Sequence, residues 1–303
     1  MDKMTKILVV GGTGFLGFHI IKEAKKKNWK ITSISLNKPK KKRFHKNVKY
    51  IFANIANLKL LKKKLVGNYD YVVNAGGYGQ HPDFGKLGDK LFKSHFIGLV
   101  NLIKILSKKK IKRFVHIGSS AEYGFAKAPQ IENTICNPKT PYGIAKLFCT
   151  NFLLKLNQIN KFPVVILRLF LVYGPNQATN RILPQIIINS LQNKKFKTTK
   201  GDQYCDFCFV DDVVNAIFKA FNTRRAIGKI FNIGSGKPIQ IKKVIKQTVN
   251  LIGSGKPLFG KIKYKKDTNM KLYPNVTSAK KILKWKSYLR FKRGLNLTIN
   301  SYR

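Results

Sequence analysis

The sequence predicts an α/β protein with a Rossmann-type, doubly wound parallel sheet, followed by a smaller α+β domain. Three observations lead to this prediction. Short apolar runs alternate with amphipathic stretches up to about residue 172, a glycine-rich turn joins the first run to the first amphipathic stretch, and the alternation loosens after Gly174-Pro175. Strands that alternate with helices are typical of a parallel sheet covered on both faces.

The alternation can be followed along the whole chain. The first part has predicted strands at 6–10, 30–36, 48–53, 71–74, 113–117 and 164–169, and predicted helices at 15–27, 58–65, 87–106 and 142–156. The later part has predicted helices at 182–191, 211–221, 241–251 and 278–283, with β structure at 198–210 and 229–233. We therefore expect one domain over 1–172, to which 206–236 returns, and a second domain that comprises most of 173–303.

The chain is strongly basic, with 60 Lys and Arg against 12 Asp and Glu and a net charge of +48 over 303 residues. Such a charge can indicate binding to nucleic acid or to an anionic membrane. However, only nine of the basic residues are Arg, and the Lys are spread along the chain. A phosphate-binding surface favours clustered Arg, whose planar group binds phosphate through two hydrogen bonds. We therefore expect no nucleic-acid partner, although the surface should attract an anionic substrate.

The sequence gives no sign of a membrane span, a signal peptide or a metal site. No apolar run reaches the roughly 18 residues that a span needs. A strand follows Met1 almost at once, so we expect a cytoplasmic protein. Four cysteines in such a protein do not predict disulfides. Cys205 and Cys208 have C-x-x-C spacing, but no second pair completes a zinc site.

The turn Gly11-Gly12-Thr13-Gly14-Phe15-Leu16-Gly17 lies between a strand and a helix. Glycine permits the tight turn, lets backbone N–H groups approach a pyrophosphate, and packs the helix on the strand. The turn therefore predicts that 1–172 is a dinucleotide-binding domain. The candidate cofactor-binding residues here are Gly11, Gly14, Phe15, Leu16 and Gly17, joined by Asn54, Ile55, Ala75 and Gly76 after the third and fourth strands.

The end of the second predicted strand bears on the choice of cofactor. An acid there binds the ribose 2′-hydroxyl of NAD, whereas a basic group accommodates the 2′-phosphate of NADP. Here the strand ends in Ser35-Leu36-Asn37-Lys38, and no acid lies between Glu23 and Asp70. We expect Asn37 and Lys38 to contact the cofactor, with NADP(H) preferred and NAD(H) as the alternative.

Tyr142 and Lys146 are four residues apart and share one face of a predicted helix. A free phenol has a pKa near 10, so acid–base work near neutrality needs a shift of about three units, or about 4 kcal/mol. The Lys146 charge can contribute to that shift. Ser119 lies 23 residues before Tyr142, at a strand end, within Gly118-Ser119-Ser120-Ala121-Glu122-Tyr123-Gly124.

Together these segments resemble the extended short-chain dehydrogenase/reductase family, of the NAD-dependent epimerase/dehydratase type. The resemblance extends over essentially the whole chain, through Arg168–Pro175, Asp206–Val213 and Phe231–Gly236. It implies an NAD(P)-dependent oxidoreductase that acts on a nucleotide-linked sugar. It also implies Ser119, Tyr142 and Lys146 as catalytic residues, with Ser120 as the second choice for the hydroxyl and with Tyr142 and Lys146 at the cofactor.

Departures from the family pattern narrow the expected reaction. Ser120 and Ala121 replace the acids of the sugar 4,6-dehydratases, and Ala121 replaces the Cys of the 3,5-epimerase-reductases. His95 replaces the Asn usual in the fourth helix, Leu171 an Asn common in epimerases, and Cys205 an Arg near the diphosphate. The residues at 120 and 121 therefore disfavour both 4,6-dehydratase and 3,5-epimerase-reductase activity.

Two segments, Tyr78-Gly79-Gln80-His81 and the run 169–175, look like those of deoxysugar 4-ketoreductases. The resemblance thus favours reduction of a nucleotide-linked 4-keto-6-deoxyhexose, in supply of a surface polysaccharide. The substrate-binding candidates are Ser119, Ser120, His81, Asn176 and Arg181. Two alternatives stay open: an NAD-dependent nucleotide-sugar 4-epimerase, and a non-catalytic dehydrogenase-like protein associated with nucleic acid.

Two predicted helices are apolar on nearly every face, and such a helix is buried on every face. Their apolar residues are Leu91, Phe92, Phe96, Ile97, Leu99, Leu102, Ile103 and Leu106, and Ile144, Leu147, Phe148, Phe152, Leu153 and Leu156. One face can pack on the sheet, and the other needs a partner. We therefore expect a homodimer.

Overall fold

The computed structural model describes residues 4–77, 85–265 and 268–303, with only the backbone at 86 and 87. The strands are β1 (Lys6–Val10), β2 (Lys30–Ser35), β3 (Lys49–Phe52), β4 (Tyr71–Asn74), β5 (Arg113–Ser119), β6 (Val164–Leu169), β7 (Leu171–Tyr173), β8 (Lys195–Lys197), β9 (Tyr204–Phe209), β10 (Lys229–Ile233), β11 (Pro238–Gln240), β12 (Lys256–Leu258) and β13 (Lys271–Leu272). The helices are α1 (Phe15–Lys26), α2 (Leu58–Lys64), α3 (Lys86–Phe92), α4 (Gly98–Leu106), α5 (Pro141–Asn160), α6 (Ile182–Leu191), α7 (Val210–Asn222), α8 (Ile241–Ile252), α9 (Thr277–Ile282) and α10 (Phe291–Asn300).

Seven parallel strands form the main sheet in the order β3-β2-β1-β4-β5-β6-β10. The chain winds outward in both directions from β1, which pairs with β2 on one side and with β4 on the other. The carboxyl ends of β1 and β4 therefore border the crevice in which ligands of such sheets bind. This arrangement confirms the predicted α/β class and the doubly wound parallel sheet.

Alternating side chains of the strands supply both faces of the core. In β1, Ile7 and Val9 belong to the apolar cluster that α1 and α7 cover. Leu8 and Val10 belong to the opposite cluster, which α4 and α5 cover. A third cluster lies around β9, where α6, α8 and α10 pack.

Two predicted elements differ from the structure in detail. The helix predicted over 87–106 is interrupted by a π-helical turn at Lys93–Ile97, which separates α3 from α4. Within the β stretch predicted over 198–210, residues 204–209 form β9, whereas 198–203 lie outside the strands and the chain turns through Gly201 at φ +78°. The later strand β10 pairs with β6 and so extends the main sheet.

In the part of the chain that the structure describes, no helix has both the length and the apolar character that crossing a membrane requires. The same residues bring together no group of three His, Cys, Asp or Glu side chains suited to a metal ion. The four cysteines are free thiols.

Candidate active site

The glycine turn between β1 and α1 forms a cradle of main-chain atoms. A Cβ at Gly17 would collide with the carbonyl oxygen of Gly11, and one at Gly11 (φ +79°) would lie 2.7 Å from the carbonyl oxygen of Ala75. Gly14 has no side chain with which to cap α1, so the first N–H groups of that helix are available to an anion. The cradle therefore fits a pyrophosphate.

Ser35, the last residue of β2, contacts the main chain of this cradle. Its buried hydroxyl accepts a hydrogen bond from the N–H of Thr13 at 3.2 Å. Asn37 and Lys38, which the sequence placed at the cofactor, lie beyond the strand and are exposed. Arg43 follows in a short helical turn and lines the cleft with Phe15, Leu16 and Ala75. Sequence reasoning missed Ser35 because it set the strand end one residue too late.

The remaining cofactor candidates lie along the same edge of the sheet. Asn54 is exposed, and its side chain accepts a hydrogen bond from the N–H of Ala56 at 3.0 Å. Ile55 packs against Gly98, where a Cβ would lie 2.6 Å from its Cγ1. The N–H of Gly76 donates to Asn74 Oδ1 at 3.3 Å.

The cleft, of about 710 Å³, contains Ser119 and Tyr142 in its wall. Tyr142 stands in the first turn of α5, which begins at Pro141 because the Thr140 hydroxyl accepts a hydrogen bond from the N–H of Gly143. One turn later Lys146 is buried, and its Nζ donates to the carbonyl oxygen of Ile117 at 2.8 Å. That Nζ is 5.8 Å from the centroid of the Tyr142 ring. The structure thus brings together the three residues that the sequence predicted as catalytic.

A buried carboxylate holds Ser119 in place. Glu122 Oε1 accepts a hydrogen bond from the Ser119 N–H at 2.8 Å, and Oε2 accepts from the Thr150 hydroxyl at 2.8 Å and from Arg168 Nε at 2.7 Å. Although burial opposes it, the Glu122 charge raises the pKa of Arg168. Sequence reasoning passed over Glu122. The available signal was a Glu just after one predicted strand and an Arg, Arg168, within the apolar run of another.

Two buried histidines, His95 and His116, lie near the Tyr142–Lys146 pair. His95 is buried in the π-helical turn, and its ring meets the Tyr142 ring edge-on with centroids 5.5 Å apart. Gly77 (φ +135°) makes room for it, because a Cβ there would collide with the imidazole. His116 is buried in β5, with Nδ1 3.2 Å from Asn74 Nδ2. Burial lowers the pKa of His116 well below its usual value, and the Lys146 and His95 charges lower it further.

The segment after β7 also lines the cleft. Gln177, Asn180 and Arg181 belong to its lining, as does Ser120. Asn176 has a left-handed backbone (φ +65°) and joins the site through its carbonyl oxygen, which accepts hydrogen bonds from Arg43. His81 lies outside the described residues, as do Tyr78, Gly79 and Gln80.

A dinucleotide cradle beside a Ser-Tyr-Lys cleft defines a nicotinamide-dependent oxidoreductase. Residues 7–234 match the sequence model of the NAD dependent epimerase/dehydratase family. The chain therefore belongs to this family, and it is an enzyme of the extended short-chain dehydrogenase/reductase superfamily.

Three similar proteins illustrate the family. The chain is 26% identical over 304 residues to YtcB of Bacillus subtilis, described as an uncharacterized UDP-glucose epimerase, with 96% of this chain and 95% of that protein covered. It is 27% identical over 273 residues to a dTDP-D-glucose 4,6-dehydratase of Dictyostelium discoideum, with 81% of this chain but only 62% of that enzyme covered. A UDP-glucose 4-epimerase from Thermotoga maritima, solved with UDP-glucose, has a TM-score of 0.91 at 24% identity, over 99% of both chains.

Proposed function

We propose that this enzyme transfers hydride at C4 of a hexose linked to a nucleoside diphosphate, and that it reduces a 4-keto-6-deoxyhexose. One observation carries the proposal. Ser119 and Tyr142 line one cleft beside the cofactor cradle, whereas the adjacent positions in that wall are Ser120 and Ala121, which offer no carboxylate. Proton transfer to a carbonyl oxygen is thus available, and the acid–base pair for loss of water is missing from these positions.

The residues of the cleft divide the work of a carbonyl reduction. A bound nicotinamide cofactor supplies the hydride. The Tyr142 phenol donates the proton to the carbonyl oxygen, and the Ser119 hydroxyl orients that oxygen by a hydrogen bond. The Lys146 ammonium, beneath the Tyr142 ring, favours the phenolate left after proton transfer and has N–H groups for the nicotinamide ribose.

The cofactor-binding residues proposed here are Gly11, Gly14 and Gly17 in the cradle, Phe15 and Leu16 at the start of α1, and Asn54, Ile55, Ala75 and Gly76 along the sheet edge. The substrate-binding residues proposed here are Ser119, Ser120 and Arg181, which all line the cleft. Asn176 contributes to substrate binding indirectly, because its left-handed turn positions the segment that carries Asn180 and Arg181.

The test is incubation of the purified enzyme with nucleotide-linked sugars and NADPH or NADH, followed by mass spectrometry. We expect a nucleotide-linked 4-keto-6-deoxyhexose to be consumed with one equivalent of reduced cofactor oxidised. Turnover of no keto sugar with either cofactor would contradict the reductase assignment.

A 4-epimerase is the second candidate, because the likeness to the Bacillus and Thermotoga proteins extends over nearly the full chain. Such an enzyme recycles one bound NAD, so it would co-purify with NAD and interconvert two non-keto nucleotide sugars without added cofactor. Leu171 in the cleft wall, which offers the substrate no polar group, favours the reductase.

We also propose that NADPH binds the free enzyme more tightly than NADH. Ser35, at the end of β2, brings no negative charge to repel a 2′-phosphate, and Arg43 adds a positive charge to the cleft wall. Fluorescence titration measures both dissociation constants. We expect Ser35→Asp to reverse the order and Asn37→Asp, in the exposed loop, to change it less; an unmodified enzyme that prefers NADH would contradict the proposal.

A homodimer and a role in polysaccharide supply complete the proposed function. The face shared by α3, the π-helical turn after it and α5 leaves Ile97 and Phe148 exposed beside the half-buried rings of Phe92 and Phe96. A second copy of the chain would cover these apolar groups.

A further inference from the structure

The turn that leads from β7 into the substrate wall is held by its main chain. Three consecutive carbonyl oxygens, those of Pro175, Asn176 and Gln177, each face a side chain from a different part of the chain. His19 Nε2 of α1 lies 3.0 Å from the first, Arg43 Nε lies 3.1 Å from the second, and the Tyr302 hydroxyl lies 2.5 Å from the third. The turn is thus fixed by the cofactor half of the protein and by its C-terminal end.

Of these three side chains, Arg43 lines the cleft. Its Nε and Nη2 both donate to the carbonyl oxygen of Asn176, at 3.1 and 2.5 Å. The guanidinium is half-buried beside Tyr302, and burial lowers its pKa while the phenol opposes that change. In this structure the charged Arg43 guanidinium therefore donates to a neutral acceptor, the carbonyl oxygen of Asn176.

Arg43 also belongs to the connection between β2 and β3, which follows the strand end where the 2′ position of a dinucleotide ribose lies in this fold. A phosphate is a stronger partner for guanidinium than a carbonyl, because both groups are charged and two parallel hydrogen bonds form. A 2′-phosphate and the Asn176 carbonyl would thus compete for the same side chain.

We infer that Arg43 couples the choice of cofactor to the binding of the nucleotide sugar. This inference rests on the proposed function. NADPH draws Arg43 from Asn176 and loosens the turn that carries Asn180 and Arg181, whereas NADH leaves the contact in place. Nucleotide sugars then bind less tightly to the NADPH complex than to the NADH complex.

Binding linkage makes this coupling reciprocal. A nucleotide in the substrate cleft, by stabilising the turn, holds Arg43 on Asn176 and so weakens NADPH relative to NADH. Couplings between binding sites are commonly about 5- to 150-fold. We therefore expect the ratio of the NADH to the NADPH dissociation constant to fall at least about fivefold when the cleft is occupied.

The experiment is fluorescence titration of the full chain with NADPH and with NADH, each with and without saturating UDP, and with dTDP in parallel. Arg43→Met removes the competing donor and should abolish the nucleotide-induced change in the ratio. Lys42→Met removes the same charge from the adjacent exposed position and should leave that change intact. If Arg43→Met melts well below the unmodified enzyme, Arg43→Lys replaces it, and its single point donor should reduce the change.

An unchanged ratio in the unmodified enzyme overturns the inference, and so does a change that persists in the Arg43 variant. The proposed function fails in a different way. If neither NADPH nor NADH binds, the cofactor assignment is wrong; if neither UDP nor dTDP binds, the substrate class is wrong. The inference falls with either assignment.

Discussion

Tyr142 and Lys146 place a phenol at the cleft surface and an ammonium beneath it. Lys146 is held there by its hydrogen bond to the carbonyl oxygen of Ile117, so its charge stays close to the Tyr142 ring. Proton transfer is thus assigned to Tyr142 and stabilisation of its phenolate to Lys146. Mutation of each residue can separate the two roles.

Tyr142→Phe removes the proposed proton donor and keeps the ring that packs against His95. We expect kcat to fall about 10²-fold or more, because general acid catalysis is typically worth that much. Cofactor affinity should change little. Tyr288→Phe, on the surface, is the matched control. Steady-state kinetics checks both variants, and near-normal turnover by Tyr142→Phe would rule out its role.

His116 predicts a loss of stability in acid. Burial lowers its pKa in the folded protein, whereas the unfolded chain takes up the proton near pH 6.5. The unfolded state therefore binds more protons below that pH, and the free energy of unfolding falls by up to about 1.4 kcal/mol per pH unit. Denaturant unfolding from pH 7 to 5 should show a smaller slope in His116→Gln. The less buried His45, whose pKa burial also lowers, should contribute less, so His45→Gln is the control.

The sequence predicted the residues whose partners are near in the chain. The glycine cradle and the Tyr142–Lys146 pair depend on spacings of a few residues, so a local pattern reveals them. Arg43 and Asn176 are 133 residues apart, and Glu122 and Arg168 are 46 apart. Contacts of this kind leave no local pattern, because they depend on which strands and loops the fold brings together.

At the scale of elements, Glu122 joins three pieces of the site. It links the end of β5, which carries Ser119, to Thr150 on α5 and to Arg168 on β6. Both members of the ion pair are nearly inaccessible, with side-chain exposures of 3% for Arg168 and 0% for Glu122. Removing one partner would leave the other buried and uncompensated.

Arg168→Met should lower the free energy of unfolding by about 3–5 kcal/mol, since it leaves the Glu122 carboxylate buried without its cation. Adding Glu122→Gln should recover part of that loss, because the amide carries no charge. Urea unfolding of the single and double variants provides the measurement. A double variant less stable than Arg168→Met would show that the charge of Glu122 is not the source of the loss.

The elements with a regular pattern were predicted well, and the irregular ones were not. Strands β1, β4 and β6 have the predicted bounds, because buried parallel strands are short, uninterrupted apolar runs. The π-helical turn around His95 went unseen, since one widened turn hardly alters the apolar spacing of a helix. The short strands β7, β11 and β13 around β9 also went unseen, because two or three residues carry too little pattern.

At the scale of the molecule, the exposed aromatic face of α5 predicts a dimer. Phe148 is 50% exposed, although its ring contacts those of Phe92 and Phe96. Phe148→Glu would place a charge in an apolar interface, so we expect it to convert a dimer to monomers in sedimentation velocity at micromolar concentration. Leu297→Glu, at an exposed apolar residue of α10, should leave the dimer intact. A monomeric unmodified protein would contradict the dimer.

The pairing of β10 with β6 has a consequence for biosynthesis. β6 is buried along its whole length in the finished protein, and its outer edge is covered by a strand that spans residues 229–233. As the chain leaves the ribosome, the first 172 residues emerge with that edge open, and an open apolar edge invites pairing with other chains. The nascent protein completes its nucleotide-binding sheet only after residue 233 has been added. Synthesis of the main sheet is therefore interrupted between β6 and β10, while the chain of β7, α6, β8, β9 and α7 is made.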